Sequence, residues 1–103
     1  MDSLAVADLL NEIAVQPGSI VSKPLSSHPG SKVVLFAFDA GQELSEHTAA
    51  VPAIIQVLSG KGRLVLGGEP MPAGPGTWAS MAANLPHSVH ADEPMIMLLT
   101  MLK

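Results

Sequence analysis

Imidazole is the side chain best suited both to hold a first-row metal ion and to move a proton near neutral pH, and this sequence carries four: His28, His47, His87 and His90. Cysteine is absent, which excludes thiolate ligands, thiol nucleophiles and disulfides. The four histidines are not equivalent. His28 sits in a stretch rich in Pro, Ser and Gly, residues 24–30, where a surface role is expected. His90 follows His87 by three positions, and on a regular strand an odd offset turns two side chains to opposite faces. His90 is therefore expected to be solvated or at an interface, unless a bulge intervenes. Glu46 neighbours His47 and points away from it for the same reason. Gln56, a polar residue in an apolar strand, is expected to face away from the ligand side. His47 and His87 remain, able to ligate a metal, act as a general base or orient a bound molecule. A buried pair held only by hydrogen bonds is the plainer alternative.

The elements that must position this pair are short strands. Residues 33–38 are a β-branched and aromatic run closed by Asp39, Ala40 and Gly41. Residues 54–58 and 63–66 flank Ser59-Gly60-Lys61-Gly62, a pattern that predicts a hairpin with glycine supplying the positive φ angles. Gly67 and Gly68 mark the next turn. Further strands are expected over residues 77–81, 87–90 and 95–102, and residues 19–23 should be extended. In the last strand Met95, Met97 and Met101 share one face, suited to packing a core or a subunit contact. At the N-terminus, Val6, Leu9, Leu10 and Ile13 recur at helical spacing, with Asp2 or Ser3 as the cap and Gln16-Pro17-Gly18 as the stop. The expected organisation is a helix and extended arm over residues 1–30 and a sandwich or barrel over residues 31–103.

Composition narrows the function classes. Hydrophobic residues are 48% and charged residues 14% of the 103, the balance of one buried domain rather than a disordered chain. A net charge of −4 with only five Lys plus Arg gives no footprint for nucleic acid or an anionic membrane. Aromatic content of 3% removes the stacking platforms of single-strand binders. The longest apolar stretch, at residues 95–102, is far short of the ~20 residues that span a bilayer. With the first basic residue at Lys23 there is no positive start of a secretory signal, so a cytoplasmic location is expected. No serine nucleophile motif, phosphate loop or zinc-finger spacing is present.

Two stretches resemble the paired motifs of the cupin superfamily. In the first motif a glycine is followed after five residues by His-x-His, then a Glu and a later glycine; Gly41, His47 and Gly60 fall on it, with Ala49 at the second His and Ala53 at the Glu. In the second, Gly76 and His87 match, while Ala82 and Asn84 stand at the Pro and Gly. Asn tolerates the left-handed conformation that such a glycine adopts. Fifteen residues separate Gly60 from Gly76, a spacing similar to that of small bacterial cupins.

The resemblance implies an all-β, single-domain cupin double-stranded β-helix, a jelly-roll barrel, commonly a homodimer. It places His47, Ala49, Ala53 and His87 on the pocket wall, with Trp78 walling either the pocket or an interface. In the family, three His and a Glu converge on a divalent metal such as Fe, Mn, Ni or Zn. His47 and His87 are the metal ligands that survive. The resulting expectation is a barrel that binds a small organic ligand beside a degenerate metal site. The alternative is a metal-dependent dioxygenase, isomerase or decarboxylase acting on a small organic substrate. A third reading, a structural protein, would follow from a pocket filled by its own side chains.

Overall fold

The chain alternates β-branched and aromatic runs with glycine and proline turns, and the computed structural model, which describes residues 5–103, answers that pattern with strands throughout. They are β1 (Ile20–His28), β2 (Ser31–Phe38), β3 (Glu43–His47), β4 (Ala53–Ser59), β5 (Gly62–Leu66), β6 (Glu69–Ala73), β7 (Trp78–Met81), β8 (His87–Ala91) and β9 (Met95–Leu102). They form two antiparallel sheets. One has the order β1-β2-β9-β4-β7 and the other β3-β8-β5-β6. Sequence neighbours are often not sheet neighbours, as a jelly roll requires. Among the described residues no helix is long and apolar enough to cross a membrane.

Four expectations change. The predicted hairpin across Gly60 does not form, because β4 pairs with β7 and β9 while β5 pairs with β6 and β8. The Ser59–Gly62 segment instead carries the chain from one sheet to the other. Gly60 has φ +79°, and a Cβ there would collide with the carbonyl oxygen of Pro94. A Cβ on Gly62 would collide with the carbonyl of His90. Glycine is thus required by backbone packed on backbone as well as by the turn.

The N-terminal helix is the second change. Only a single 3-10 turn, Leu9–Asn11, is present, and Val6 and Leu10 are exposed. An isolated short helix is marginal in water, and this segment lies against the outside of the larger sheet, where Glu12 Oε1 meets Lys23 Nζ at 3.0 Å. The proposed caps Asp2 and Ser3 lie outside the described residues. Thirdly, the arm is a strand: β1 pairs with β2 from Ile20 to His28, with a bulge between Pro24 and Ser26. A boundary at residue 30 therefore falls inside a hairpin. Finally, β3 and β6 were not foreseen as strands. β6 lies at the edge of its sheet and holds Pro70 and Pro72, a composition tolerated only at an edge. The β5–β6 turn is as expected, with Gly67 and Gly68 at φ +59° and +83° between Leu66 and Glu69, the pattern of a two-residue primed turn.

The core lies between the sheets. Phe38, Ile55, Val57, Met95 and Met97 enter from the larger sheet, and Leu64, Val89, Ala91 and Ala73 from the smaller. Each large side chain of this set contributes about 1.5–3 kcal/mol by leaving water. Both sheets run the same course from one end of the barrel to the other. The closed end is marked by Gly62, whose Cβ position lies 3.1 Å from the Met95 sulfur. Two residues per row away from that end, the smaller sheet passes from Ala91 through Val89 to His87, and the larger from Met95 through Met97 and Leu99 to Met101. The mouth is therefore where His87 and Met101 sit.

Replacing Gly60 by Ala should cost about 3 kcal/mol, from left-handed strain plus the collision with Pro94. Gly41→Ala, at φ +82° but with open space around its Cβ, should cost about 1 kcal/mol. Urea-unfolding midpoints compare the two, and equal losses would show that Gly60 does not lie beneath the Pro94 carbonyl.

Candidate functional site

The pairing of β3 with β8 runs Glu43 with His90, Leu44 with Val89, then His47 with His87. Three steps along β3 answer two along β8, so β3 carries one extra residue, a β-bulge. On a regular strand that offset would turn His47 away from the face that Leu44 shares with the core. The bulge returns it to the inner face, directly across from His87. The two ring centroids are 4.2 Å apart with planes at 62°. His87 is buried at 7% exposure, while His47 is exposed at the mouth.

Each imidazole is held by a backbone carbonyl two residues before it. Nδ1 of His47 donates to the Ser45 carbonyl at 2.8 Å, and Nδ1 of His87 donates to the Leu85 carbonyl at 2.7 Å. A carbonyl can only accept, so the hydrogen of each neutral ring sits on Nδ1 and the lone pair on Nε2. No protein group is hydrogen-bonded to either Nε2 among the described residues. No buried side-chain nitrogen or oxygen among them lacks a partner, so both lone pairs open on space that solvent can reach.

The other candidates divide as follows. Ala49 lies in the loop between β3 and β4, and its carbonyl accepts from the Asn84 backbone N–H at 2.7 Å, tying two mouth loops together. Asn84 has φ +66°, the one positive φ outside glycine among the described residues, as its place at a motif glycine implies. Ala53 opens β4, buried between its partners Met81 on β7 and Met101 on β9. Trp78 does not wall the pocket. Ala79 and Met81 take the inner positions of β7, and alternation places Trp78 outside, 59% exposed. Gln56 is its partner on β4 and likewise faces outward. His90 faces out as its offset implies, with Nδ1 3.5 Å from Glu43 Oε1 and Nε2 3.3 Å from Asp92 Oδ1. Arg63 Nε completes that cluster 3.5 Å from Asp92. His28 is exposed at the end of β1.

Met81 was not foreseen at the site, although alternation back from its strand would have placed it inward. A cavity of about 410 Å3 also lies elsewhere. It is outside the barrel, between the N-terminal segment and the outer face of the larger sheet, lined by Val6, Leu25, Val33 and Leu98 with Lys23 and Glu12. The sheet itself separates it from the histidine pair.

The mouth therefore offers two imidazoles and no carboxylate. Glu46 is exposed, Glu43 is paired with His90 on the outer face, and no group of three His, Cys, Asp or Glu able to hold a metal occurs among the described residues. These residues do not fit the three-imidazole, one-carboxylate site of a divalent ion.

Fold, motif spacing and the facing histidines converge with a family model, "Cupin domain", that matches residues 34–101. The chain belongs to the cupin family. Among solved structures, this cupin is similar to a conserved-barrel cupin protein from Leptotrichia buccalis, at 35% identity and TM-score 0.88, covering 94% of this chain and 47% of that one. It thus spans about half the length of that protein. An RmlC-like cupin protein from Desulfovibrio desulfuricans matches at 29% identity and TM-score 0.87 over 96% of each chain. A conserved protein of unknown function from Streptococcus pyogenes matches at 27% identity and TM-score 0.87, covering 100% of this chain and 90% of that one. No curated protein matches the sequence.

Restoring the missing donors tests the geometry. The Ala49→His, Ala53→Glu double variant should bind Zn2+ at least tenfold more tightly than the wild type, measured by competition with a chromophoric chelator. An unchanged affinity would mean that positions 49 and 53 do not face the histidine pair.

Proposed function

We propose that this cupin is a binding protein whose barrel mouth takes a small organic molecule carrying an N–H or O–H donor. The observation that carries this reading is the spending of both Nδ1 atoms on backbone carbonyls, which leaves two fixed acceptors side by side in an otherwise apolar setting. Sites for small molecules are built in this way, with apolar walls and a few placed polar groups. Ala49 and Ala53 stand where the family motif has a His and a Glu, which widens the mouth and, at Ala53, removes a negative charge.

In the binding reading the divalent metal expected from the family, Fe, Mn, Ni or Zn, has no complete ligand set. The enzyme alternative needs either that metal with a further ligand from outside the described residues, or a metal-free step in which Nε2 of one histidine removes a proton from the bound molecule. The two readings share the mouth and differ in turnover.

A homodimer and a cytoplasmic location complete the proposal. Trp78 on edge strand β7 is an exposed large apolar side chain of the kind that a second copy covers.

Titration of 15N-labelled protein with phenol and with N-methylacetamide tests the binding reading. Amide shifts are expected to move at His87, Leu85 and Ala53, and to be lost in His47→Ala. No movement, or movement confined to the outer cavity around Val33 and Leu98, would remove the mouth as the binding site.

A further inference from the structure

The outer face of the larger sheet holds a second concave site, and a second bulge helps to build it. On β1 Lys23 pairs with Leu35 of β2, and Ser26 pairs with Val33. Three steps along β1 thus answer two along β2, with one extra residue in between. On a regular strand Lys23 and Ser26 would point to opposite faces; the bulge returns Ser26 to the face that Lys23 occupies. Residues 23–26 consequently all line the cavity of about 410 Å3 beneath the N-terminal segment. Leu35, on the same face, is wholly buried and lies outside the core between the sheets, so the sheet is closely covered there. Beside it the cover is looser: Leu25, Val33 and Leu98 on the cavity wall are only partly buried.

What remains is an apolar space in the size range of small-molecule sites, about 300–1,000 Å3, with one charged pair on its wall. Glu12 Oε1 meets Lys23 Nζ at 3.0 Å. The second oxygen of Glu12 and the other ammonium hydrogens of Lys23 have no hydrogen-bond partner among the described residues. An ion pair this open to water adds little to stability, but it sets what the cavity can accept. Its two charges cancel, and it presents an acceptor and donors side by side. A hydroxyl fits that arrangement, because it can give its hydrogen to the carboxylate and take one from the ammonium. A carboxylate ligand would be drawn to Lys23 and repelled by Glu12, and an ammonium ligand the reverse.

We propose that the outer cavity is a second binding site, which takes a neutral aliphatic alcohol. The chain lies against Leu25, Val33 and Leu98, and the hydroxyl rests on the Lys23–Glu12 pair. The site is separated from the histidine pair by the sheet itself and stands whether or not the mouth binds a ligand.

The experiment is a titration of the 15N-labelled full chain with 1-hexanol, hexanoate and hexylammonium, read at the amides of Leu25, Val33 and Leu98. Hexanol should shift these amides saturably and bind at least fivefold more tightly than either ion. Glu12→Gln leaves the Lys23 charge alone and should put hexanoate ahead of hexanol, and Lys23→Met should favour hexylammonium in the same way. Neither side chain is buried, so both variants should keep the fold. Ala7→Trp fills the cavity from the N-terminal segment, where Ala7 is exposed on its rim, and should weaken hexanol by tenfold or more. Absent or non-saturating shifts, equal affinity for the three probes, selectivity unchanged in the two charge variants, or hexanol binding untouched by Ala7→Trp would each overturn the proposal. The amides of His87 and Leu85 report the mouth in the same spectra. They should stay in place, and hexanol shifts confined to them would also overturn the outer site.

Discussion

The crossing at Ser59–Gly62 is the constraint on which the rest of the barrel depends. Two sheets can face each other only if the chain leaves one and joins the other, and here it does so by laying Gly60 under the Pro94 carbonyl and Gly62 under that of His90. No side chain fits between those backbones. The close approach brings the β8–β9 turn down onto the crossing, where Asp92 and Glu93 N–H groups both donate to the Lys61 carbonyl. Met95 then seals the closed end with its sulfur against Gly62. With one end shut in this way, the inner rows of both sheets are in step, and the opposite end is left open.

At that open end a single inserted residue decides what the barrel presents. Without the bulge in β3, His47 would leave the inner face and His87 would be alone. With it, two imidazoles stand across one strand gap, each anchored through Nδ1 to its own chain. The anchoring lets local backbone geometry, rather than a distant carboxylate, choose the tautomer. On the outer face Glu43 of β3 and Asp92 of the β8–β9 turn gather around His90 and Arg63.

Much of this was legible in the residues, and the failures have physical causes. Gly41, His47, Gly60, Gly76 and His87 carried the family by spacing, and alternation along β8 turned His90 outward correctly. Asn84 took the left-handed conformation expected at its position. Ser59-Gly60-Lys61-Gly62 misled because a hairpin turn and a crossing between sheets make the same local demand for glycine, and only tertiary pairing separates them. The helical spacing of Val6, Leu9, Leu10 and Ile13 misled because the sheet beneath needed a cover and a short isolated helix has little stability of its own. β6 was hidden by its two prolines, which argue against any strand that must pair on both sides.

Those prolines carry a consequence for how the molecule behaves in a crowd. In a two-residue hairpin Leu66 and Glu69 exchange hydrogen bonds, so the pairs Val65–Pro70 and Arg63–Pro72 are the ones whose partner-strand amides would point to the open edge. Both positions lack an amide hydrogen. The free side of β6 therefore offers carbonyls and no donors, and an incoming strand finds only half of the ladder it needs. Growth by strand addition is therefore refused at this edge of the sheet by the backbone itself, through two missing hydrogens.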